Sequence, residues 1–311
     1  MIRLSSSVKI LAKSALIKEQ LDTKVNIGCD GIEIQLLSEL INGRIGNYYL
    51  AKDVYDLDML KNYDIYCIHA PILSFYGLDD VNIEDMVDME DFKLLDQIFY
   101  IANTVGELHN RKIIVVVHSE MSRDKLIGLG DTWKRVLNAV GCMLFKYPYA
   151  ELAIENITPL RNAHRKPLHL ANNFLFDNII MVSELRKQLN TDRVGTVLDI
   201  CHAKTTALYM NKIYELLGDE PEDYSLNNFF SGNKDVIKLI HLADMRGSGY
   251  GKGEHGIKIT DSNKDTLEEV IELYNKYSYN CPITLEVEET DFIKSDGYAD
   301  TKALIDKYKG S

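Results

Sequence analysis

Cysteine is sparse and unpaired in this 311-residue chain: Cys29, Cys67, Cys142, Cys201 and Cys281 stand far apart, with no CxxC among them. That spacing excludes a zinc knuckle and a disulfide framework and fits reduced core thiols, which points to a cytoplasmic protein. No stretch approaches the roughly 18 consecutive apolar residues that cross a bilayer, and the opening MIRLSSSVKILAKSALI lacks the apolar run of a secretory leader. Membrane insertion is excluded on that reading. An excess of positive charge is missing too. The chain has 35 Lys and Arg against 47 Asp and Glu, a net charge of −12, so no global field draws nucleic acid. Low-complexity linkers and composition breaks are absent, and 46% hydrophobic residues supply one large core, so residues 1–311 read as a single domain.

What the sequence does contain is alternation. Short, β-branched apolar runs recur at Ile2–Leu4, Gly31–Leu36, Ile65–His69, Lys112–His118, Glu151–Glu155, Val194–Asp199, Ile237–Ala243 and Ile283–Val287. Between them, Phe92–Val105, Thr132–Phe145, Phe174–Leu189 and Thr266–Tyr277 carry apolar residues at helical spacing. Runs such as KIIVVVH are apolar at nearly every position, as expected of parallel strands buried on both faces. The pattern predicts a closed (β/α)8 TIM barrel of the α/β class. A doubly wound open sheet would normally show a glycine fingerprint in the first strand-to-helix turn, and SSSVKILAKSA has none. Long strand-to-helix loops are expected at about 37–64, 72–91, 156–172 and 203–227.

The third to eighth runs each end on an ionisable side chain: His69, His118, Glu155, Asp199, His241 and Glu286, spaced 37 to 49 residues apart. That interval is one β–α unit, so a barrel would bring all six to the mouth where barrel enzymes place their sites. Carboxylates and imidazoles crowded there are costly to desolvate without a cation, and a divalent metal removes the cost. The mixed oxygen and nitrogen set suits Zn, Mn or Co.

In that order the runs GCDGIEIQL, IHAPI, VVVHSE, AIENIT, GTVLDICHA, IHLAD and ITLEVE resemble the xylose isomerase-like barrel superfamily, which holds sugar isomerases and epimerases together with the endonuclease IV family. The resemblance implies that Glu155, Asp199, His241 and Glu286 ligate a metal. It implies that His69 and His118 join Glu155 around a second ion. His202, three residues after Asp199, matches a histidine that touches substrate in the epimerases and belongs to a third zinc in the endonucleases. One to three ions are therefore expected.

Two enzyme readings follow. The endonuclease family holds its third zinc with an Asp-x-His after strand seven, whereas the histidine here is His255 and Gly253 stands two residues earlier. The loop after His69 carries seven acids from Asp79 to Asp91 and no Lys or Arg, a poor surface for DNA phosphates. For a sugar or sugar phosphate isomerase or epimerase the parts are present. Glu155 and Glu286 supply acid and base for an enediolate reaction, His202 and Arg246 touch substrate, and a metal bridges substrate oxygens. The favoured reading is that enzyme, with a small-molecule sugar as partner. An endonuclease IV-like zinc phosphodiesterase and a non-catalytic metal-dependent binding protein are the alternatives.

Overall fold

The computed structural model describes residues 2–36, 40, 49–71, 89–119, 130–158, 160–161, 169–170, 177–217, 223–247 and 254–309. Eight parallel strands close a barrel: β1 (Ile10–Ser14), β2 (Gly31–Gln35), β3 (Ile65–His69), β4 (Ile113–His118), β5 (Ala150–Glu155), β6 (Val194–Asp199), β7 (Ile237–Leu242) and β8 (Ile283–Leu285). Neighbours in sequence pair all the way round, and β8 returns to β1 with Ile10 opposite Ile283. Helices cover the outside: α1 (Lys18–Ile27), α2 (Met89–His109), α3 (Gly130–Lys146), α4 (Asp177–Leu189), α5 (Ile200–Leu217), α6 (Leu226–Asn233), α7 (Asp265–Lys276) and α8 (Asp296–Lys309). Between β2 and β3 the described residues contribute only a helical turn at Ala51–Val54 and a 3₁₀ stretch at Leu57–Asn62. Among the described residues no helix is long and apolar enough to cross a membrane.

Strand alternation divides each strand between two environments. Outward residues such as Ile32, Ile34, Ile68, Val115 and Ile154 pack under the helices in one continuous cluster. Inward residues Leu11, Cys67, Ile114, Val116, Ala153, Val197 and Leu239 fill the barrel itself and form an apolar floor. Each fully buried aliphatic side chain of this kind contributes about 1.5–3 kcal/mol. The packing is tight at Gly31, where an added Cβ would stand 2.5 Å from the Tyr66 ring and 2.8 Å from Leu11 Cδ2. One step further along each strand, above this floor, the inward positions turn polar.

Two expectations from the sequence are corrected. The first strand is Ile10–Ser14, inside the segment taken for a turn, while Ile2–Leu4 forms no strand. Leu4 is instead buried and its N–H donates to the Tyr308 carbonyl at the end of α8. An inward lysine breaks the apolar run of β1, which hid it. The second correction concerns 203–227, read as a loop. Residues 203–217 belong to α5, which starts directly after β6 without any loop. The short pair Leu160–Arg161 and His169–Leu170 lies in the expected 156–172 loop. The acidic segment 72–88, with Phe75 and Tyr76, falls outside the described residues.

Candidate metal centre

All eight strands place an inward polar side chain at the same end of the barrel: Lys13, Gln35, His69, His118, Glu155, Asp199 and His241, with Glu286 one residue beyond β8. The six strand-end residues expected from sequence are therefore brought together. Their contacts make the grouping concrete. His69 Nε2 and His118 Nε2 lie 3.1 and 3.4 Å from Glu155 Oε2. The other oxygen, Oε1, faces His241 Nδ1 at 3.4 Å, and His241 Nδ1 is 2.9 Å from Glu286 Oε2. Glu155 thus divides its carboxylate between two groups of candidate ligands, His69 and His118 on one side and Asp199, His241 and Glu286 on the other.

The donor atoms fit a small divalent ion. Within each group, including Glu155–Asp199–His241–Glu286 and His69–His118–Glu155, the ligand atoms lie within 4.8 Å of one another. Ligands held at about 2.0 Å in a tetrahedron stand roughly 3.3 Å apart, close to the separations found here. Among the described residues, His241 Nδ1, Glu286 Oε2 and His255 Nε2 are buried without a hydrogen bond of good geometry. Buried polar atoms are seldom left so; an ion in the Glu155–Asp199–His241–Glu286 group would meet the first two, and one in the Asp199–His202–His255 group the third.

Local hydrogen bonds hold these side chains inward and fix their tautomers. His69 Nδ1 lies 2.8 Å from the Ala70 carbonyl, to which its N–H donates, leaving the Nε2 lone pair for the site. His202 Nδ1 likewise meets the Asn156 carbonyl at 2.7 Å. Asn156 also spans the end of β6: its Nδ2 donates to the Asp199 carbonyl and its Oδ1 accepts from the Asp199 N–H. Asp199 caps α5, its Oδ1 accepting the His202 N–H at 2.5 Å. One turn of helix separates the two, so the Asp-x-x-His spacing puts both side chains on the mouth.

A third group joins Asp199, His202 and His255, with the two imidazole centroids 5.0 Å apart. Sequence reasoning looked for an acid near His255 and found Gly253; the acid comes from β6 instead. Glu254 is turned elsewhere, since a Cβ at Gly247 would stand 2.7 Å from its Oε1. His255 is held by a narrow hairpin in which Asp244 and Ile257 exchange backbone hydrogen bonds and the Arg246 N–H donates to the Glu254 carbonyl. Gly256, with φ +68°, lets this hairpin approach β8, where its carbonyl accepts from the Glu288 N–H. Arg246 is exposed on the same hairpin. His109 bonds the Leu60 carbonyl away from the mouth and Trp133 packs against the outer core, so neither belongs to the site.

Burial and charge set the protonation states. Burial alone would lower the His241 pKa, but the carboxylates of Glu33, Glu155 and Glu286 hold it well above the ordinary histidine range. Burial pushes Asp199 up to about 8, helped by Glu286 and Glu155. Glu155 stays well below the carboxylate range despite burial because His241 and His118 face it, and Glu286 does so through Lys13 and His241. Desolvation keeps His202 and His255 below the usual value, hence neutral and able to ligate.

Three participants went unseen in the sequence: Lys13, Gln35 and Glu33. Glu33 is fully buried one layer below the mouth, accepting from His241 Nε2 at 3.0 Å and from Thr284 Oγ1 at 2.8 Å. It lies in GCDGIEIQL, where inward alternation with Gly31 was the available signal. A carboxylate behind a ligating imidazole orients it and raises its basicity. Glu33→Gln should therefore weaken divalent-ion binding roughly 10- to 100-fold, measured by competition with a chelating dye. Unchanged affinity would refute this role.

No protein-family model matches the chain, and no curated protein matches it. Solved structures do. A 3-keto-D-glucoside 4-epimerase, YcjR, from E. coli superposes with a TM-score of 0.58 at 14% identity, covering 96% of this chain and 99% of its own. A D-tagatose 3-epimerase-like protein gives 0.59 at 16% identity, covering 97% of each. A D-allulose 3-epimerase from Methylomonas sp., in complex with D-allulose, gives 0.57 at 12% identity and covers 99% and 98%. At such identities the likeness is one of fold: the chain is a closed (β/α)8 barrel, similar in fold to these epimerases.

Proposed function

We propose that the protein is a divalent-metal-dependent isomerase or epimerase acting on a sugar or sugar phosphate through an enediolate. The observation that carries the reading is the pair of carboxylates, Glu155 from β5 and Glu286 from the end of β8, which both face His241 Nδ1, at 3.4 and 2.9 Å. Two carboxylates held ionised in one cavity beside a metal-ligand set are what removal and return of a proton next to a carbonyl require. A Zn, Mn or Co ion, held by Glu155, Asp199, His241 and Glu286, would supply Lewis acidity toward adjacent substrate oxygens. One carboxylate accepts the carbon-bound proton and the other returns one. His202 presents Nε2 to the substrate while Asn156 fixes its ring, and Arg246 is assigned a substrate oxygen or phosphate. The epimerases among the solved neighbours support the same reading.

The test is isotopic. Incubated with a panel of ketoses in deuterated water, the wild-type protein should place deuterium on the carbon beside the carbonyl, and a chelator should stop it. No incorporation into any ketose would sink the proposal.

A second reading draws on the shared carboxylate of Glu155 and the extra groups His69–His118–Glu155 and Asp199–His202–His255, an arrangement suited to up to three ions and to an endonuclease IV-like phosphodiesterase. It expects incision of abasic duplex DNA at physiological salt, lost in His202→Ala. Ion binding with neither activity would leave a non-catalytic binding protein.

A further inference from the structure

Lys13 stands outside the ligand and acid–base roles assigned above, yet it is part of the same ring. Leu11, two residues earlier, packs inside the barrel, so alternation turns Lys13 inward at the mouth. Its amine donates to Glu286 Oε1, and its backbone pairs in register with Glu33. The lysine amine is thus held beside the carboxylate whose other oxygen faces His241.

Exposure sorts the ring into a buried base and an open rim. Side chains of Glu155, Asp199 and His241 retain 1, 2 and 0% of their surface. Lys13 and Glu286 retain 19 and 16%, and His118 and His202 retain 11 and 16%. A small molecule entering the mouth therefore meets Lys13 and Glu286 on the β1–β8 side and the two histidines across from them. Charge points the same way. Glu33, Glu155, Asp199 and Glu286 together outweigh one divalent ion, and an enediolate adds further negative charge. Lys13 brings a positive group to the side where that charge would meet Glu286.

We propose that Lys13 is a further catalytic residue, whose ammonium contacts the substrate oxygen that becomes negative as the proton beside the carbonyl is removed. The inference rests on the isomerase reading. In the step, the electron pair of the broken C–H bond becomes the enediolate double bond, the carbonyl π pair moves to oxygen, and the proton goes to a carboxylate. Lys13 keeps its own proton throughout and contributes a charged hydrogen bond.

This role gives effects of opposite sign on ion binding and on turnover. An ammonium repels a cation bound nearby, so Lys13→Met should bind a divalent ion roughly tenfold tighter. Loss of a donor to the developing oxyanion should lower kcat roughly 100- to 1000-fold. A lysine needed only for structure would weaken both. The experiment measures ion affinity by dye competition and kcat and KM on the ketose identified by isotope exchange, for wild type, Lys13→Met, Lys13→Gln and Lys13→Arg. Lys13→Gln should follow Lys13→Met, and Lys13→Arg should recover kcat while keeping wild-type ion affinity. Weaker ion binding in both neutral variants, or undiminished kcat in either, overturns the inference alone. A wild type that turns over no ketose overturns it together with the isomerase reading.

Discussion

Glutamine in place of Glu286 should cut proton exchange between solvent and a bound ketose by roughly 100- to 10,000-fold, the contribution of one positioned acid or base. Glu155→Gln should do the same. Both carboxyls are held well below the usual range, Glu155 by His241 and His118, Glu286 by Lys13 and His241, so each is ionised at neutral pH and ready to accept a proton. An amide has the same outline but cannot take that proton. Its carbonyl oxygen can still ligate, so part of the ion binding should survive, and deuterium wash-in measured at saturating ion separates the two functions. Full exchange in either variant would remove that glutamate from the reaction.

Asp199→Ala should abolish tight ion binding, because Asp199 is at once a strand-anchored donor, the cap of α5 and a member of the group that includes His202. Metal analysis of protein purified without chelator reads the outcome, and wild-type metal content in the variant would refute the assignment. Ion binding by the wild type should also depend steeply on pH. Asp199, pushed up to about 8, and His241, held well above the ordinary histidine range, are both protonated at neutral pH and must lose those protons to ligate. Affinity should rise with pH, roughly 10- to 100-fold per unit below about 8, as one or two protons leave for each ion bound. A flat profile between mildly acidic and neutral pH would contradict this.

Much of the mouth was legible because its chemistry interrupts an apolar pattern at fixed intervals. His118 ends IIVVVH and Asp199 ends VGTVLD, and each marks the last inward position of its strand. β1 was not legible for the same reason in reverse. Its five residues, ILAKS, contain one inward apolar residue before Lys13, too little to stand out from a turn. Glu33 was hidden within GIEIQ, where a charged residue between two isoleucines reads as a surface position until ring closure puts that face inside. The acid partner of His255 was sought in sequence proximity, although the fold supplies Asp199 from another strand. The helix over 203–217 escaped because it follows Asp199 without a break, and only the hydrogen bond from His202 to the Asp199 side chain marks where it begins.

The unpartnered atoms at the mouth have a consequence for heat resistance. Among the described residues, Glu33 Oε1, His241 Nδ1 and Glu286 Oε2 are buried without a hydrogen bond of good geometry, above a floor of close-packed aliphatic side chains. A ligand that binds only the native state adds to stability by mass action, so ion occupancy should raise the melting temperature. The same logic makes the ion-free barrel a form that neutral polar substitutions would toughen while emptying it of function, the usual exchange between durability and activity at a charged site.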